Sequence, residues 1–454
     1  MRITPSNKMK ISIVDTRNIF GLKSINKDLN GSYGTQDYFG KSLISKIFEK
    51  LRAKAVFLPH LTSVYVATIL RAQGHTVNFY FDQIPKNHYD IFIIIGSIVD
   101  QKNENKIAGE LRKKFNKSKV GFVGPFPAKM PSLYPNADFI IDGEAEAFFL
   151  YQFNDFNDLE GVLKVEKLVN MEDLPSPDYS GFPFKSFRYR PILNQSPMLS
   201  IQSSRGCPYS CGYYCTYPTS QGKKVRQRSA NAVVNDIIFM KKKFGMRSLL
   251  FRDPIFGINK EYPFLLSDQI IKKNASIYWG IETRADLLTK VNLSYMYKAG
   301  LRSINIGIET NNIEIAKKNK RKLIESEHQK DIINYCNNIG IKVVGFFIIG
   351  MEGDTIDSIR NMIDFSLNQK TFIARFSVST PYPGTEYFDF LDKANLLLNK
   401  DYQNYNQFKL VTNQGKLRSI DIEELLLEAY KKYYLRIDKI SSLALDQLKS
   451  YLPF

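Results

Sequence analysis

Short apolar runs alternate with helical patterns along the first 150 residues. Four runs between polar or turn residues predict buried strands: Lys10–Thr16, Thr76–Phe81, Ile91–Ile95 and Lys119–Val123. Apolar residues at helical spacing predict an amphipathic helix at Leu61–Arg71, and a further helix is predicted at Glu104–Phe115. Because strand and helix alternate, the chain belongs to the α/β class, and residues 1–150 are predicted to form a doubly wound, Rossmann-like parallel sheet.

Glycines mark the ends of these predicted strands. Gly96-Ser97 follows the strand at Ile91–Ile95, Gly124-Pro125 follows Lys119–Val123, and Asp142-Gly143-Glu144 follows a further apolar run. Doubly wound sheets bind their ligands beyond the carboxyl ends of the strands. These residues are therefore the candidates for ligand binding in the first 150 residues.

Residues 151–195 interrupt this alternation. Polar residues and four prolines predict a linker between two domains. From Met198 the alternation resumes, with six strand-like segments: Met198–Ser203, Ser248–Arg252, Ile277–Thr283, Ser303–Glu309, Lys342–Ile349 and Phe372–Ser379. Six βα units predict a partial (β/α)6 barrel over residues 196–395, with its active site at the carboxyl ends of the strands. Residues 396–454 predict a C-terminal helical extension that contains an amphipathic helix at Ile420–Arg436.

Composition limits the range of functions. The 454 residues are 44% hydrophobic, which is enough to build cores, and the net charge is +18. Lysine is spread along the chain without a block of five or six like charges, so nucleic acid is not expected as a partner. No apolar run approaches the roughly 18 to 20 residues of a membrane span, and the first residues are polar. We expect a cytoplasmic protein, and peripheral membrane contact stays open.

Three of the four cysteines, Cys207, Cys211 and Cys215, lie in one loop after the first predicted barrel strand. Thiolates this close in sequence can converge on one soft metal centre, either zinc or an iron–sulfur cluster. A structural zinc site needs a fourth ligand, and no histidine lies nearby. Reduced structural thiols, a zinc site and a disulfide are the alternatives. Cys336 lies on a helical pattern and is expected to be a buried structural residue.

The segment from Arg205-Gly206-Cys207-Pro208 to Cys215-Thr216-Tyr217-Pro218 resembles the cysteine loop of the radical S-adenosylmethionine (SAM) superfamily. The resemblance implies that the three cysteines hold a 4Fe-4S cluster whose open iron chelates SAM. It also implies that one electron from the cluster cleaves SAM reductively to a 5′-deoxyadenosyl radical. This loop departs from the family by having three residues, instead of two, between its second and third cysteines. We expect a flexible turn to absorb the extra residue.

The first domain resembles the cobalamin-binding domain that precedes the radical SAM domain in one large branch of the superfamily. The similar stretches run from Leu58 to Val77 and from Ala137 to Glu146. The resemblance implies that cobalamin is bound by the residues at the strand ends: Gly96, Ser97, Gly124, Pro125, Gly143 and Glu144. No Asp-x-His-x-x-Gly stretch is present, so cobalt ligation by a histidine is not expected. A domain that has lost the cofactor is the alternative.

The same resemblance implies SAM contacts at the ends of the barrel strands. They fall on Tyr214, Asp253, Arg284, Glu309, Gly350 and Pro381. Tyr214 stands where an aromatic ring packs on adenine, and the guanidinium of Arg284 is suited to the SAM carboxylate. A carboxylate at Glu309, among apolar neighbours, is costly unless it meets a donor. The alternatives are core packing for Tyr214, the start of an ordinary helix for Arg284 and a helix cap for Asp253. No catalytic residue is assigned.

The resemblance implies an enzyme, a cobalamin-dependent radical SAM methyltransferase that acts on an unactivated carbon. Its cofactors would be the 4Fe-4S cluster, SAM and cobalamin. One alternative is a cyclase, coupling or rearrangement enzyme in which cobalamin is absent or is not a methyl donor. A more distant alternative is a binding module that is stabilised by a metal and catalyses no reaction. Expected partners are a small-molecule, lipid or peptide substrate and an electron donor such as flavodoxin or ferredoxin.

Overall fold

The computed structural model describes residues 8–17, 24–413, 415 and 417–449. Its first sheet has six strands: β1 Lys10–Asp15, β2 Thr76–Phe81, β3 Ile91–Ile95, β4 Lys119–Val123, β5 Phe139–Asp142 and β6 Gly161–Lys164. These strands are parallel and lie in the order β2-β1-β3-β4-β5-β6. All five residues of β3 are buried, as its unbroken apolar sequence predicts for a central strand of a parallel sheet. The predicted doubly wound sheet is confirmed.

The second sheet also has six parallel strands, which follow one another in chain order. They are β7 Met198–Ile201, β8 Ser248–Phe251, β9 Tyr278–Thr283, β10 Leu301–Glu309, β11 Lys342–Ile349 and β12 Ile373–Val378. Sequential parallel strands with helices between them form the predicted partial barrel.

The helices that flank the sheets are α1 Leu43–Ala55, α2 Leu61–Ala72, α3 Gln101–Lys114, α4 Pro125–Lys129, α5 Ala145–Tyr151, α6 Tyr217–Gln221, α7 Ala230–Phe244, α8 Tyr262–Lys272, α9 Lys290–Lys298, α10 Ile313–Lys318, α11 Ser326–Ile339, α12 Ile356–Asn368, α13 Glu386–Lys393, α14 Ser419–Tyr434 and α15 Ile437–Lys449. Local signals set several of their ends. The side chain of Ser229 accepts a hydrogen bond at the start of α7, and Gly245 ends that helix in the left-handed conformation. Within the part of the chain that the structure describes, no helix has the length and apolar character needed to cross a membrane.

The structure differs from the sequence prediction in two places. The segment expected to be a linker, residues 151–195, contains β6, which pairs with β5 and extends the first sheet beyond residue 150. This strand is held by backbone pairing at an exposed edge, so it lacks a strong apolar pattern. Helix α2, predicted to be amphipathic, has nine buried residues, because it packs between the first sheet and α5.

The predicted amphipathic C-terminal helix is α14, and it covers the open edge of the barrel. The hydroxyl of Tyr430 donates to the carbonyl of Phe376 at 3.0 Å, and that of Tyr434 donates to the carbonyl of Ala374 at 2.7 Å. These bonds fasten α14 along β12, the last strand of the barrel. One buried apolar cluster also runs from β3 of the first sheet to β10 of the barrel, so the two sheets pack as one body.

Candidate active site

Cys207, the first cysteine of the loop, lies six residues after β7 ends, at the mouth of the barrel. A short antiparallel pair, Ser204–Arg205 with Arg226–Gln227, turns the chain into the loop. Gly206 has a φ of +89°, and a Cβ there would lie 2.1 Å from the carbonyl oxygen of Lys224, so this turn needs glycine. The loop then folds back on itself, since the amide of Cys215 donates to the carbonyl of Cys211 at 2.9 Å.

The thiols of the loop are free and largely withdrawn from solvent. Cys207 and Cys211 are buried and Cys215 is half-buried. Burial raises the pKa of Cys211 to about 11, with the Glu309 carboxylate adding to the shift. Burial, followed by the neighbouring Cys211, raises the pKa of Cys215 well above its ordinary value. Among the residues that the structure describes, no group of three or more His, Cys, Asp and Glu side chains is arranged to hold a metal ion. Convergence of the three sulfurs therefore stays a prediction.

Two arginines with unused donors lie against the loop. Arg284 stacks on the ring of Tyr209 at 4.5 Å and pairs with Asp286 at 2.9 Å, while its buried Nη1 has no hydrogen-bond partner. Arg321 pairs with Glu309 at 3.2 Å and contacts Cys211, and its buried Nε also lacks a partner. Buried donors without acceptors are unfavourable, so this environment suits a negatively charged group at the loop. Three thiolates around an iron–sulfur cluster are such a group, and the donor set fits it.

Glu309 ends β10 in a conformation that side chains rarely adopt. Its φ is +68°, in the left-handed region that favours glycine. The hydroxyl of Tyr214 donates to its carboxylate, which also pairs with Arg321. Burial and the adjacent Glu309 charge raise the pKa of Tyr214 well above its ordinary value. Backbone strain of this kind clusters at functional sites, and here it accompanies a carboxylate held beside the cysteine loop.

Asp253, at the end of β8, fixes the chain that leads into the loop. It accepts hydrogen bonds from the amide and hydroxyl of Ser203, at 2.7 and 2.5 Å, and from the hydroxyl of Ser204 at 2.7 Å. Burial raises its pKa to about 6 in spite of these donors. Because these hydrogen bonds fix Ser203 and Ser204, Asp253 positions the cysteine loop.

The raised pKa of Asp253 predicts a pH-dependent effect of Asp253→Asn. The folded state binds a proton more tightly than the unfolded state, whose Asp pKa is near 3.8, so the contribution of Asp253 to stability falls as pH rises from about 4 to about 6. We expect the variant to be less stable than the wild type by about 1–3 kcal/mol near pH 4, where the carboxyl group is neutral and its burial carries no cost of desolvating a charge. The difference between the two free energies of unfolding should become smaller towards pH 7. Urea unfolding of both proteins across this range measures it, and a pH-independent difference would contradict the placement of this carboxyl group.

Gly350 and Pro381 contact other parts of the protein. Gly350 has a φ of +69° and packs against Ile422, beside a cavity of about 480 Å³ that also involves Met351 and Glu352. Pro381 is buried next to Tyr382, whose hydroxyl accepts a hydrogen bond from Asn30 of the first domain at 3.0 Å. The structure thus gathers Tyr214, Arg284 and Glu309 around the cysteine loop, whereas the contacts of Gly350 and Pro381 lead elsewhere. The roles of all these residues toward SAM stay predictions.

A cleft lies between the strand ends of the two sheets. The first sheet contributes Gly124, Pro125, Gly143 and Glu144, which were predicted to bind cobalamin, and the barrel side contributes Gln202, Tyr217 and Arg252. Its cavity of about 90 Å³ is smaller than the roughly 300–1,000 Å³ typical of small-molecule sites.

The other two predicted cobalamin residues, Gly96 and Ser97, do not line this cleft. Gly96 packs so closely on the neighbouring helix that a Cβ there would lie 2.1 Å from the Cγ of Pro127. The hydroxyl of Ser97 donates to Glu104 at 2.7 Å within a buried ionic group. That group also contains Lys27, whose ammonium donates to Glu104 at 2.7 Å. Gly96 and Ser97 therefore serve packing and buried hydrogen bonding in this structure.

A buried ionic bridge joins the cysteine loop to the first domain. Arg205 pairs with Glu146 at 2.7 Å and with Glu144 at 3.3 Å, and Arg226 pairs with Glu144 at 2.7 Å. Burial favours the neutral acid, but these two arginines hold the pKa of Glu144 below its ordinary value. Glu144 is thus committed to the bridge. The sequence analysis missed the roles of Arg205, Arg226 and Arg321, because their partners are distant in sequence.

Comparison with known proteins agrees with this arrangement. Residues 201–366 match the profile of the radical SAM superfamily. The chain is 26% identical over 269 residues to an uncharacterized methyltransferase of Pyrococcus horikoshii, a match that covers 59% of this chain and 57% of that protein. It is 24% identical over 361 residues to the bacteriochlorophyllide d C-12(1)-methyltransferase of Chlorobaculum tepidum, covering 78% of this chain and 77% of the relative. The chain thus spans little more than half of the first of these relatives.

A solved structure shows the same fold. The cobalamin-dependent SAM radical enzyme OxsB, determined with aqua-cobalamin and SAM bound, aligns with a TM-score of 0.67 at 15% identity. The alignment covers 98% of this chain and 70% of OxsB. The matched profile includes the cysteine loop and the strand ends that surround it. Residues 201–366 are therefore a domain that matches the radical SAM superfamily.

Proposed function

We propose that this enzyme methylates an unactivated carbon of its substrate with the help of cobalamin. One observation supports this most directly. The cleft at the strand ends of the first sheet opens onto the cysteine-loop side of the barrel, where Tyr217 and Arg252 form part of its wall. A cofactor in the cleft and a cluster on the loop would therefore act on the same substrate. The relatives named as methyltransferases point in the same direction.

The residues around the loop suit the two cofactors that a radical SAM domain uses. Cys207, Cys211 and Cys215 would hold the 4Fe-4S cluster, which supplies the electron for reductive cleavage of SAM. The unused Nη1 of Arg284 would bind the SAM carboxylate, because a guanidinium pairs strongly with a carboxylate. Glu309 would accept hydrogen bonds from the amino group or the ribose of SAM. These polar contacts orient SAM, and the buried loop keeps water from the reacting atoms.

Cobalamin would fit the cleft only after the two walls of the cleft separate. The cavity of about 90 Å³ is bounded by α6 on one side and by Gly31 and Ser32 on the other. These walls touch, since a Cβ on Gly31 would lie 2.9 Å from the hydroxyl of Ser220. Binding of a corrin therefore requires α6 and the turn at Gly31 to separate.

The narrow cleft also favours a second candidate. This is a radical SAM enzyme that cyclises, couples or rearranges its substrate, with the first domain empty or with cobalamin in another role. The closed wall between α6 and Gly31 supports this candidate, because it needs no movement of the structure. Either enzyme needs a reductant and a substrate. We propose a flavodoxin or ferredoxin as the reductant, since these small proteins deliver single electrons.

Anaerobic reconstitution separates the two candidates. The protein is loaded with iron, sulfide and hydroxocobalamin, freed of unbound cofactor and given SAM, a reductant and extract of a strain that lacks this enzyme. Methyl transfer predicts retained cobalamin absorbance and a product heavier than its substrate by one CH2 group. SAM cleavage without retained cobalamin or added mass would support the second candidate. Failure to form 5′-deoxyadenosine under any of these conditions would contradict both.

A further inference from the structure

A large apolar cavity of about 740 Å³ occupies the interior of the barrel. Leu250, Val344, Phe346 and Ala374 of the barrel strands form its inner wall. Helices α1 and α14 close it from outside, where Tyr430 and Tyr434 contribute their rings. The volume lies within the roughly 300–1,000 Å³ range of small-molecule sites, and the walls are mostly hydrocarbon. The shape and lining favour a mainly apolar ligand.

Arg375 of β12 lies in the wall of this cavity with no ionic partner. Among the described residues, it forms no hydrogen bond or ion pair, its guanidinium lies 5.8 Å from the ring of Phe346, and the carboxylates of Asp37 and Glu282 interact with its charge only from a distance. Two other arginines of the cavity wall differ, since Arg52 pairs with Asp37 at 2.7 Å and Arg252 pairs with Asp28 at 2.7 Å. Burial, together with the nearby Arg52, lowers the pKa of Arg375 to about 10. An unpaired guanidinium in an apolar cavity is unfavourable until an anion binds it.

The cavity reaches towards the active site. Arg252, at the end of β8, lines both this cavity and the cleft between the sheets. Glu282 of β9 also lines it and lies 3.7 Å from Arg252, so this carboxylate already faces a cation. Tyr217, two residues beyond Cys215, lines the same cleft as Arg252. A molecule in the cavity therefore lies next to the elements that carry the cysteine loop.

The mouth of the cavity is edged by exposed apolar side chains. Leu51 of α1 is 58% exposed and Leu435, just beyond α14, is 54% exposed, and both line the cavity. Leu43 and Ile47 continue the exposed stripe along α1, at the four-residue spacing of one helix face. An apolar rim allows the tail of a long ligand to extend out of the barrel.

We propose that this cavity is the substrate site, and that it takes an elongated, mainly apolar molecule with one anionic group, a carboxylate or a phosphate, that pairs with Arg375. This assignment rests on the proposed function, because it names the substrate class of that active site. The apolar walls hold the body of the molecule, and the bond to Arg375 fixes how far the molecule enters the cavity. Charge-assisted bonds from a guanidinium are strong and directional, so the position of the headgroup fixes which carbon faces the cofactors.

Binding of three probes with the same tail tests the proposal. Dodecanoate, dodecyl phosphate and dodecanol are titrated calorimetrically into the anaerobically reconstituted enzyme, below the concentrations at which they form micelles. We expect at least one anion to bind about tenfold more tightly than the alcohol, as one charge-assisted bond allows. Preference for one anion over the other identifies the headgroup. Equal affinities for all three probes, or no binding, would overturn the proposal.

Three variants assign the effect to the cavity. Arg375→Gln should abolish the preference for the anions and leave the affinity for dodecanol unchanged. Arg190→Gln, which changes an exposed arginine at the cavity mouth, is the matched control and should keep the preference. Ala55→Trp on α1 should block all three probes by filling the cavity from its outer side. An anion preference that survives in Arg375→Gln, with unfolding midpoints equal to wild type, would refute the role of Arg375.

These titrations are independent of turnover. Anion binding without methyl transfer would leave the cavity assignment standing and remove the proposed function. Methyl transfer to a substrate that lacks an anionic group would support the proposed function and remove the cavity assignment.

Discussion

Replacement of Cys207, Cys211 or Cys215 by alanine should abolish iron binding and SAM cleavage. Each variant removes one of three thiol ligands, and even the outer partners of metal ligands contribute about 10- to 100-fold to affinity or activity. We therefore expect 5′-deoxyadenosine formation to fall by more than about 100-fold in each single variant. Iron and sulfide content, visible absorbance and 5′-deoxyadenosine are measured after the same anaerobic reconstitution.

Cys336→Ala is the matched control for these variants. Cys336 is fully buried on α11, and burial raises the pKa of its thiol to about 12, as expected for a structural residue. The control should retain iron and SAM cleavage, with only a modest loss of stability. Wild-type activity in any of the three loop variants, or loss of iron in the control, would be incompatible with a cluster held by the loop.

Arg205→Met should strongly destabilise the protein. Arg205 is 3% exposed and pairs with both Glu144 and Glu146. Its removal leaves buried carboxylates without their cation, and breaking a buried ion pair in this way costs about 3–5 kcal/mol. The change also detaches the start of the cysteine loop from the first domain. Urea unfolding under anaerobic conditions gives the difference in the free energy of unfolding.

Arg375→Met provides the contrast to Arg205→Met. Both changes replace an arginine inside the protein by methionine, but Arg375 has no ionic partner among the described residues. Its replacement leaves no carboxylate unpaired and removes a desolvated charge, so the free energy of unfolding should stay the same or rise. Equal destabilisation by the two variants would show that the ionic bridge does not hold the domains together.

The sequence predicted the strands well because most of them are buried on both faces. Runs such as Ile91–Ile95 and Lys342–Ile349 have the same bounds in the structure as in the prediction. Edge strand β6 could not be predicted, because three of its four residues are exposed and carry no pattern. Helix α1 was also missed. Only Ser45 is buried in it, and Leu43, Ile47 and Leu51 are exposed, so most of its apolar stripe does not face a core.

The candidate site could be predicted only where the residues that form it are close together in the sequence or follow a recognisable strand. Three cysteines in one loop are visible without a structure, as are polar residues at the ends of apolar strands. The ion pair between Arg205 and Glu146 joins residues 59 positions apart, and no spacing rule detects it. Arg321 follows the short helix α10 in a segment without periodicity, and only the fold brings it to Glu309. The role of Arg375 is inferred from its lack of an ionic partner. Only a structure shows this, because the positions of all neighbouring side chains must be known.

Electron paramagnetic resonance tests most directly whether the cysteine loop holds a cluster with one open iron. Spectra of the reduced, anaerobically reconstituted protein are recorded with and without SAM. We predict a 4Fe-4S signal that shifts when SAM is added, because the iron without a cysteine ligand would bind its amino and carboxylate groups. A protein that takes up no iron, or a cluster signal that SAM leaves unchanged, would contradict the assignment of this chain's active site.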